Sequence, residues 1–244
     1  MTSLVTFDFH NTIAYCDEWF FLEIRDLPVR TLEILAPQTF ETHDPAAIAA
    51  RYREHRKAVM ASGKEIDAVE GVLRITSALE VDLRPADVDA TVARLMHEAA
   101  EHATPVPGAV DAIREVSQRG IKVGIVSSAV YHPFLEWTLE RFGVLDAFSF
   151  VMTSASSGYY KSDPEIYRAA MRMVGSDAAR SIHVGDSEKW DVWSAQQAGM
   201  RAVWFRNGNV DTLVDHPIDV QPDFVVSSMT DVSPWIIERL GVPR

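Results

Sequence analysis

The sequence predicts an α/β fold: a Rossmann-like parallel sheet covered by helices on both faces, with a helical bundle inserted after the first strand. Two textures in the chain lead there. Outside residues 15–103, short and almost wholly apolar runs alternate with helix-length segments, which is how strands buried on both faces of a parallel sheet read. Within 15–103 there is no convincing strand, and about four helices follow one another through short connections, the pattern of a small bundle with antiparallel neighbours. The expected division is a core domain of residues 1–14 and 104–244 and a helical cap domain of residues 15–103.

The elements justify this in order. "SLVTFDF" is a first buried strand. "CDEWFFLEIRDLPVRTLEILAP" has apolar residues near helical spacing, with a kink expected at Pro28. "DPAAIAARYREHRKAVMASG" opens with Asp44 as N-cap and Pro45 at the first helical position, and Gly63 suits its stop. "EIDAVEGVLRITSALE" and "RPADVDATVARLMHEAAEH" complete the bundle, the second starting at Pro85. "TPVPG" reads as a hinge. Then come a helix "AVDAIREVSQRG", a strand "IKVGIVSSA", a helix "HPFLEWTLERFG", a short strand "FSFVMTS" and a helix "DPEIYRAAMRMVG". The strand "SIHVGD", the helix "WDVWSAQQAG", the strands "RAVWF" and "DFVVS" and a last helix through "WIIERLG" close the chain.

Bulk composition narrows the function classes. A chain of 244 residues can bury a core with a sizeable insertion. Its 47% hydrophobic and 24% charged content is that of a soluble globular protein. With 23 basic against 35 acidic residues the net charge is -12, which argues against nucleic acid or an anionic membrane as partner while permitting a local basic pocket. Cys16 is the single cysteine, so no disulfide framework exists within the chain and a cytoplasmic location is expected. The N-terminus shows no signal-peptide pattern, and no apolar run approaches membrane-spanning length.

Ligands of such sheets bind beyond the carboxyl ends of the strands, and those ends hold a short set of reactive residues. The first strand delivers Asp8, His10 and Thr12, and the next Ser127 and Ser128. Lys161 precedes a helix starting near Pro164, and "SIHVGD" ends in Asp186 with Asp191 five residues on. Converging acids can hold Mg²⁺, a hard ion that takes oxygen ligands and keeps waters and substrate phosphate. The lysine and hydroxyls can hold the remaining phosphate oxygens, and a carboxylate kept ionised by lysine and metal can attack phosphorus.

These residues, in this order, resemble the haloacid dehalogenase (HAD) superfamily, mostly phosphohydrolases. The first motif of that family, Asp-x-Asp-x-Thr after an apolar strand, stands here as Asp8-Phe9-His10-Asn11-Thr12. Ser127 in "GIVSSA" matches the second motif, and Lys161 in "GYYKSDPEIY" matches the third with a serine replacing its first proline. "VGDSEKWD", with Asp186 and Asp191, matches the fourth. The resemblance covers residues 1–14 and about 104–228; the bundle matches only in position and helical character. It implies a phosphatase of a small phosphate ester: Asp8 attacks phosphorus, and Asp8, the backbone carbonyl of His10, Asp186 and Asp191 serve the metal.

His10 departs from the family, which has an acid there to protonate the leaving alcohol and then activate water. Three readings compete. The imidazole replaces the carboxyl as general acid and base; or it does something else and the reaction is slow or of another kind; or it is a bystander in a decayed, ligand-binding or regulatory member. Family members lacking the second acid include 2-haloacid dehalogenases, which displace halide without metal using a cap arginine, for which Arg25 and Arg30 are candidates. Phosphonate-cleaving members use a cap lysine, for which Lys57 and Lys64 are available. Asp186 favours metal and phosphate over both, because a carboxylate beside Asp8 is repulsive without a cation between them. Elsewhere, Arg51, Arg53, Arg56 and Lys57 in "RYREHRK" read as a solvated helix face, Trp19, Phe20 and Phe21 as cap core, Trp190 and Trp193 as helix packing or a shield of the site, and Cys16 as structural.

Overall fold

A computed structural model describes residues 2–208 and 220–241; of the expected core, Met1 and residues 209–219 and 242–244 lie outside the described residues. The sheet has six strands, all parallel: β1 (Thr2–Phe7), β4 (Lys122–Ser127), β5 (Phe150–Thr153), β6 (Ser176–Gly185), β7 (Arg201–Phe205) and β8 (Phe224–Val226). Their order is β5-β4-β1-β6-β7-β8, so β1 lies inside the sheet with β4 and β6 as neighbours. Leu4, Val5 and Phe7 are fully buried, as the continuous apolar run requires. Gly124 in β4 lets Phe150 lie across it; a Cβ there would sit 2.2 Å from the ring.

The helical block joins the sheet through a two-stranded antiparallel ribbon. Its strands are β2 (Ala14–Tyr15) on the way in and β3 (Thr104–Pro105), the proline-rich segment, on the way out. Between them the chain is helical apart from turns. The expected N-cap is present: Asp44 accepts the Ala46 N–H at 3.0 Å, and the helix Pro45–Ser62 stops at Gly63 with φ 69°. Among the described residues no helix is long and apolar enough to cross a membrane.

Three details differ from the sequence reading. The break in the first helical run is a π-turn at Leu22–Asp26, not a kink at Pro28. Pro28 falls in the first turn of the segment that follows directly on this π-turn. Arg56 is not on a solvated face with Arg51, Arg53 and Lys57; it shares the inward stripe with Ile48, Tyr52 and Val59 and is 3% exposed. Trp19 reaches beyond the helical block: its ring stacks on Phe134 at 4.8 Å and meets Phe9 edge-on at 5.9 Å. Phe20 is half-buried and Phe21 is exposed, beneath the Arg25 guanidinium.

The π-turn has a consequence for how block and sheet meet. Glu23, within it, is buried and accepts the Val130 N–H at 2.8 Å, while Ala68 N–H donates to Val130 O at 3.0 Å. Further along, Glu65 N–H donates to Gly158 O and Tyr160 N–H to Gly63 O, both at 3.0 Å. The block is thus hydrogen-bonded to the loops that follow β4 and β5.

Burial raises the Glu23 carboxyl well above its ordinary value, against the pull of Arg56 and the backbone N–H donors. Such a group binds its proton more tightly in the folded state. The stability it contributes is fully present below about 4.5, its ordinary pKa, and is lost as pH rises through the raised value. Glu23→Gln, neutral at every pH, is therefore expected to flatten the fall of melting temperature with pH above that point. Parallel melting curves for the two proteins against pH would show the carboxyl to be ionised throughout.

Candidate active site

The site grows from the end of β1. Phe7 pairs with Ile125 of β4 and Val184 of β6, so Asp8 leaves the sheet between those strands, its N–H on Val184 O at 2.8 Å. The chain then turns tightly, with the N–H groups of Thr12, Ile13 and Ala14 all donating to Phe9 O. Asn11 takes a left-handed conformation at φ 59°, which its short polar side chain tolerates. Ser127 ends β4, and Asp186 follows Gly185 at the end of β6. Strand order alone therefore brings Asp8, Ser127 and Asp186 to one edge.

Lys161 completes the group. Only 3% exposed, its ammonium donates to Asp8 Oδ1 and, at 2.6 Å, to Asp191 Oδ1. Its backbone N–H donates to Ser128 Oγ at 3.3 Å. Asp191 folds back over Gly185, where a Cβ would lie 2.2 Å from the carboxyl carbon, so only glycine fits there. Its second oxygen accepts the Ser187 N–H at 2.9 Å. Thr12 is fully buried, and its hydroxyl has no partner among the described residues.

Two side chains absent from the sequence reading belong to this network. His183, fully buried in β6, places Nε2 3.1 Å from Asp191 Oδ1 and Nδ1 2.8 Å from Thr6 Oγ1. A histidine inside the apolar run "SIHVG" was the available signal. Asn207 lies just past β7 and donates to Asn11 O at 2.9 Å and to Asp186 Oδ2 at 3.3 Å. Its signal was weaker, an Asn-Gly after a strand.

The electrostatics are those of three acids sharing one base. Burial pushes the Asp8 carboxyl up, Lys161 pulls it down and Asp191 pushes it up again, leaving it at about 6. Asp186 is raised well above the carboxylate range by burial and by the charges of Asp8 and Asp191. Burial opposes ionisation of Asp191 too, but Lys161 and His183 outweigh it and hold this carboxyl low. For Lys161, burial works against the charged form and the attraction of Asp191 and Asp8 exceeds it, so its pKa rises.

Asp8, Asp186 and Asp191 each offer an oxygen within 4.8 Å of the others, so these carboxylates can hold a metal ion. The donor set is all oxygen, the kind a hard divalent cation takes. One ammonium among three carboxylates leaves negative charge for such an ion to balance.

His10 sits differently. Its ring stacks on Phe20 at 4.6 Å and meets Trp19 edge-on at 5.8 Å. Nε2 faces Asp17 Oδ1 and Nδ1 faces the Asn11 amide, each at 3.4 Å. Burial lowers its pKa to about 4, against the pull of Asp17. The side chain is engaged with the start of the helical block, and no hydrogen bond ties it to Asp8 or Lys161.

The arginine and lysine candidates are also elsewhere. Arg25 is paired with Asp26 at 2.6 Å, and the exposed Arg30 with Glu33 at 3.4 Å. Lys57 is paired with Glu54 and Lys64 with Asp163, each at 3.0 Å. Trp190, half-buried, meets Tyr160 edge-on at 5.6 Å, and Trp193 is exposed. Cys16 is buried, its thiol pushed up by burial.

A buried aspartate at the end of an inner parallel strand, tied to a lysine and flanked by two more aspartates, puts in an α/β protein a carboxylate placed where a nucleophile or a metal ligand can act. Residues 2–199 match the sequence profile described as haloacid dehalogenase-like hydrolase, and the chain belongs to that family of hydrolases. It is 28% identical over 131 residues to a glyceraldehyde 3-phosphate phosphatase of Pyrococcus abyssi, covering 53% of this chain and 54% of that one. It is also 28% identical over 141 residues to an (S)-2-haloacid dehalogenase of Pseudomonas fluorescens, covering 57% of this chain and 59% of the other. The matched stretches thus span little more than half of these relatives. Among solved structures, a 2-haloacid dehalogenase from Pseudomonas syringae pv. tomato superimposes with a TM-score of 0.72 at 21% identity, covering 98% and 99% of the two chains. A HAD phosphatase from Thermococcus onnurineus gives a TM-score of 0.64 at 20% identity over the whole of both chains. Both share the fold.

Proposed function

We propose that this hydrolase is a Mg²⁺-dependent phosphatase acting on a small phosphorylated metabolite through an aspartyl-phosphate on Asp8, with residues 15–103 as a cap over the site. One observation carries the reading: Asp186 adds a third carboxylate to a buried cluster with a single lysine, which repels itself until a divalent cation joins it. Asp8 and Asp186 would hold Mg²⁺, with Asp191 assisting; when bound, the ion supplies charge neutralisation for the phosphoryl oxygens.

The rest falls to the chain's own groups. Asp8 attacks phosphorus, and water then hydrolyses the acyl phosphate so formed. Lys161, held by Asp191 and by Ser128, faces the developing negative charge and keeps Asp8 ionised. Thr12, Ser127 and Ser128 supply hydroxyls for phosphate oxygens. Lys161→Ala is expected to cost about 10²-fold or more in kcat through lost charge stabilisation; a near-neutral result would remove the lysine from the chemistry. A dehalogenase reading finds less support, since Arg25 and Arg30 are both engaged outside the site and halide displacement leaves Asp186 uncompensated.

The test is phosphate release from an aryl phosphate, with Mg²⁺ and with chelator. Release that needs the metal supports the reading. Halide release from a 2-haloacid instead would support the dehalogenase reading, and a melting temperature raised by Mg²⁺ without turnover would support a ligand-binding role. Asp186→Asn should melt higher than the wild type without metal, because it removes a buried repulsion, and should lose the rise that Mg²⁺ gives. An undiminished rise would place the metal elsewhere.

A further inference from the structure

We infer that one end of the helical block is a working part of the lysine site. Ser162 is a positioning residue that ties the turn carrying Lys161 to residues 60–65, and this seam stays closed during turnover. The role given to Lys161 rests on the phosphatase reading above; the clamp on its turn does not.

A helix leaves its last carbonyls without partners inside the helix. At the end of the helix Pro45–Ser62, the Lys64 N–H that would reach back to Met60 O donates instead to Ser62 Oγ at 3.1 Å. The carbonyls of Met60 and Gly63 accept from the lysine turn. Ser162 Oγ donates to Met60 O at 2.6 Å, and Tyr160 N–H donates to Gly63 O at 3.0 Å. Lys161 and Ser162 are the middle residues of that turn, which Asp163 N–H closes on Tyr160 O at 2.9 Å. Before it, Glu65 N–H donates to Gly158 O at 3.0 Å; at its end, Asp163 Oδ2 accepts from Lys64 Nζ at 3.0 Å. Block and turn approach so closely that a Cβ on Gly63 would lie 2.9 Å from Asp163 Cβ.

From the sheet side, the Lys161 backbone has the longer bond of its N–H to Ser128 Oγ, 3.3 Å. The family's lysine motif has a proline where Ser162 stands. Proline carries no hydroxyl, so the bond to Met60 O is a feature of this chain and not of the motif. Lys161 must bring its ammonium to two carboxylates at once, and misplacing a catalytic group by about 1 Å can cost about 10²-fold. Swinging the block off the core at residues 60–65 would release the turn on both sides of Lys161. The block therefore serves catalysis while seated on this turn.

The test is a double-mutant cycle on phosphate release from an aryl phosphate with Mg²⁺. Ser162→Ala is expected to lower kcat about tenfold while KM moves by less than about threefold. Ser162→Thr, which keeps the hydroxyl, is expected to restore the rate. In a Lys161→Ala background, Ser162→Ala is expected to cost nothing further, because its effect passes through the lysine. An equal loss in both backgrounds would overturn the positioning role.

The closed seam is tested by a cross-link. Lys64 and Tyr159 form an antiparallel pair whose hydrogen bonds run between the neighbouring residues. Such pairs bring Cα atoms to about 4.5 Å, within disulfide reach. Lys64→Cys with Tyr159→Cys is expected to turn over at least as fast oxidised as reduced. Slowing by about tenfold on oxidation, or failure of the pair to oxidise, would overturn the closed seam.

Hydrogen exchange on residues 158–163 needs no turnover. Ser162→Ala is expected to speed it about fivefold, what one hydrogen bond of ordinary net strength gives. Unchanged exchange would overturn the clamp. Absence of Asp8-dependent phosphate release from the wild type would instead overturn the phosphatase reading, and exchange would then decide the clamp by itself.

Discussion

Asp8→Asn is expected to reduce turnover by about 10⁴-fold or more, the scale seen when a covalent nucleophile is removed, with the fold retained. The amide matches the carboxylate in shape but lacks the charge and nucleophilicity to attack phosphorus. The main-chain anchor of Asp8 does not depend on the charge, since its N–H is the group that bonds Val184 O. Lys161 keeps Asp191 as a partner. The variant also relieves the repulsion that raises Asp186, so it should melt at or above the wild-type temperature without metal. Phosphate release and thermal melting on one preparation test both halves. Retained turnover would move the nucleophile away from Asp8. A lower melting temperature would mean that the Lys161 attraction outweighs the repulsion by Asp186.

The largest expected effect on stability lies away from the chemistry, at Arg56. Its guanidinium grips Glu65 with two hydrogen bonds, of 2.6 and 3.1 Å, and the two side chains are 4% and 1% exposed. Glu65 also accepts the Ser154 hydroxyl at 2.6 Å, so the pair ties the helical block to the loop after β5. Arg56→Ala would leave a buried carboxylate without its cation, at a cost of about 3–5 kcal/mol. That corresponds to about 10 °C in melting temperature for a chain of this size. Removing both charges should cost less than removing one, because a buried pair repays little beyond its own desolvation. Arg56→Met with Glu65→Gln should therefore melt above Arg56→Ala. The reverse order would show that the pair itself, and not the orphaned acid, dominates.

The positions that end strands were legible before any coordinates. Asp8, Ser127 and Asp186 could be named because a continuous apolar run followed by a polar residue marks the carboxyl edge of a buried parallel strand, a pattern carried within a few residues of chain; Lys161, just before a helix, and Asp191, five residues past Asp186, were named from their spacing to these motifs. The glycine before Asp186 was legible too, although its reason, the Asp191 carboxyl folded against it, was not. His10 was legible as a departure from the family, but its orientation was not. Phe20 and Asp17, which hold it, belong to the first turn of a helix whose direction is set by the β2–β3 ribbon.

By itself the sequence determined the alternation of strands and helices, the helical insertion and the residues at the strand ends, because each depends on local periodicity, caps and turns. Tertiary structure alone decided which groups meet: His183 with Thr6 and Asp191, Asn207 with Asn11 and Asp186, Glu23 with Val130, and Glu65 with Arg56 and Ser154. Most of these partners lie far apart in the chain, and a buried polar group takes whatever partner packing brings within hydrogen-bond distance, since leaving it unpaired costs about 1–3 kcal/mol. That choice is made by the whole core at once, and no short stretch of sequence carries it.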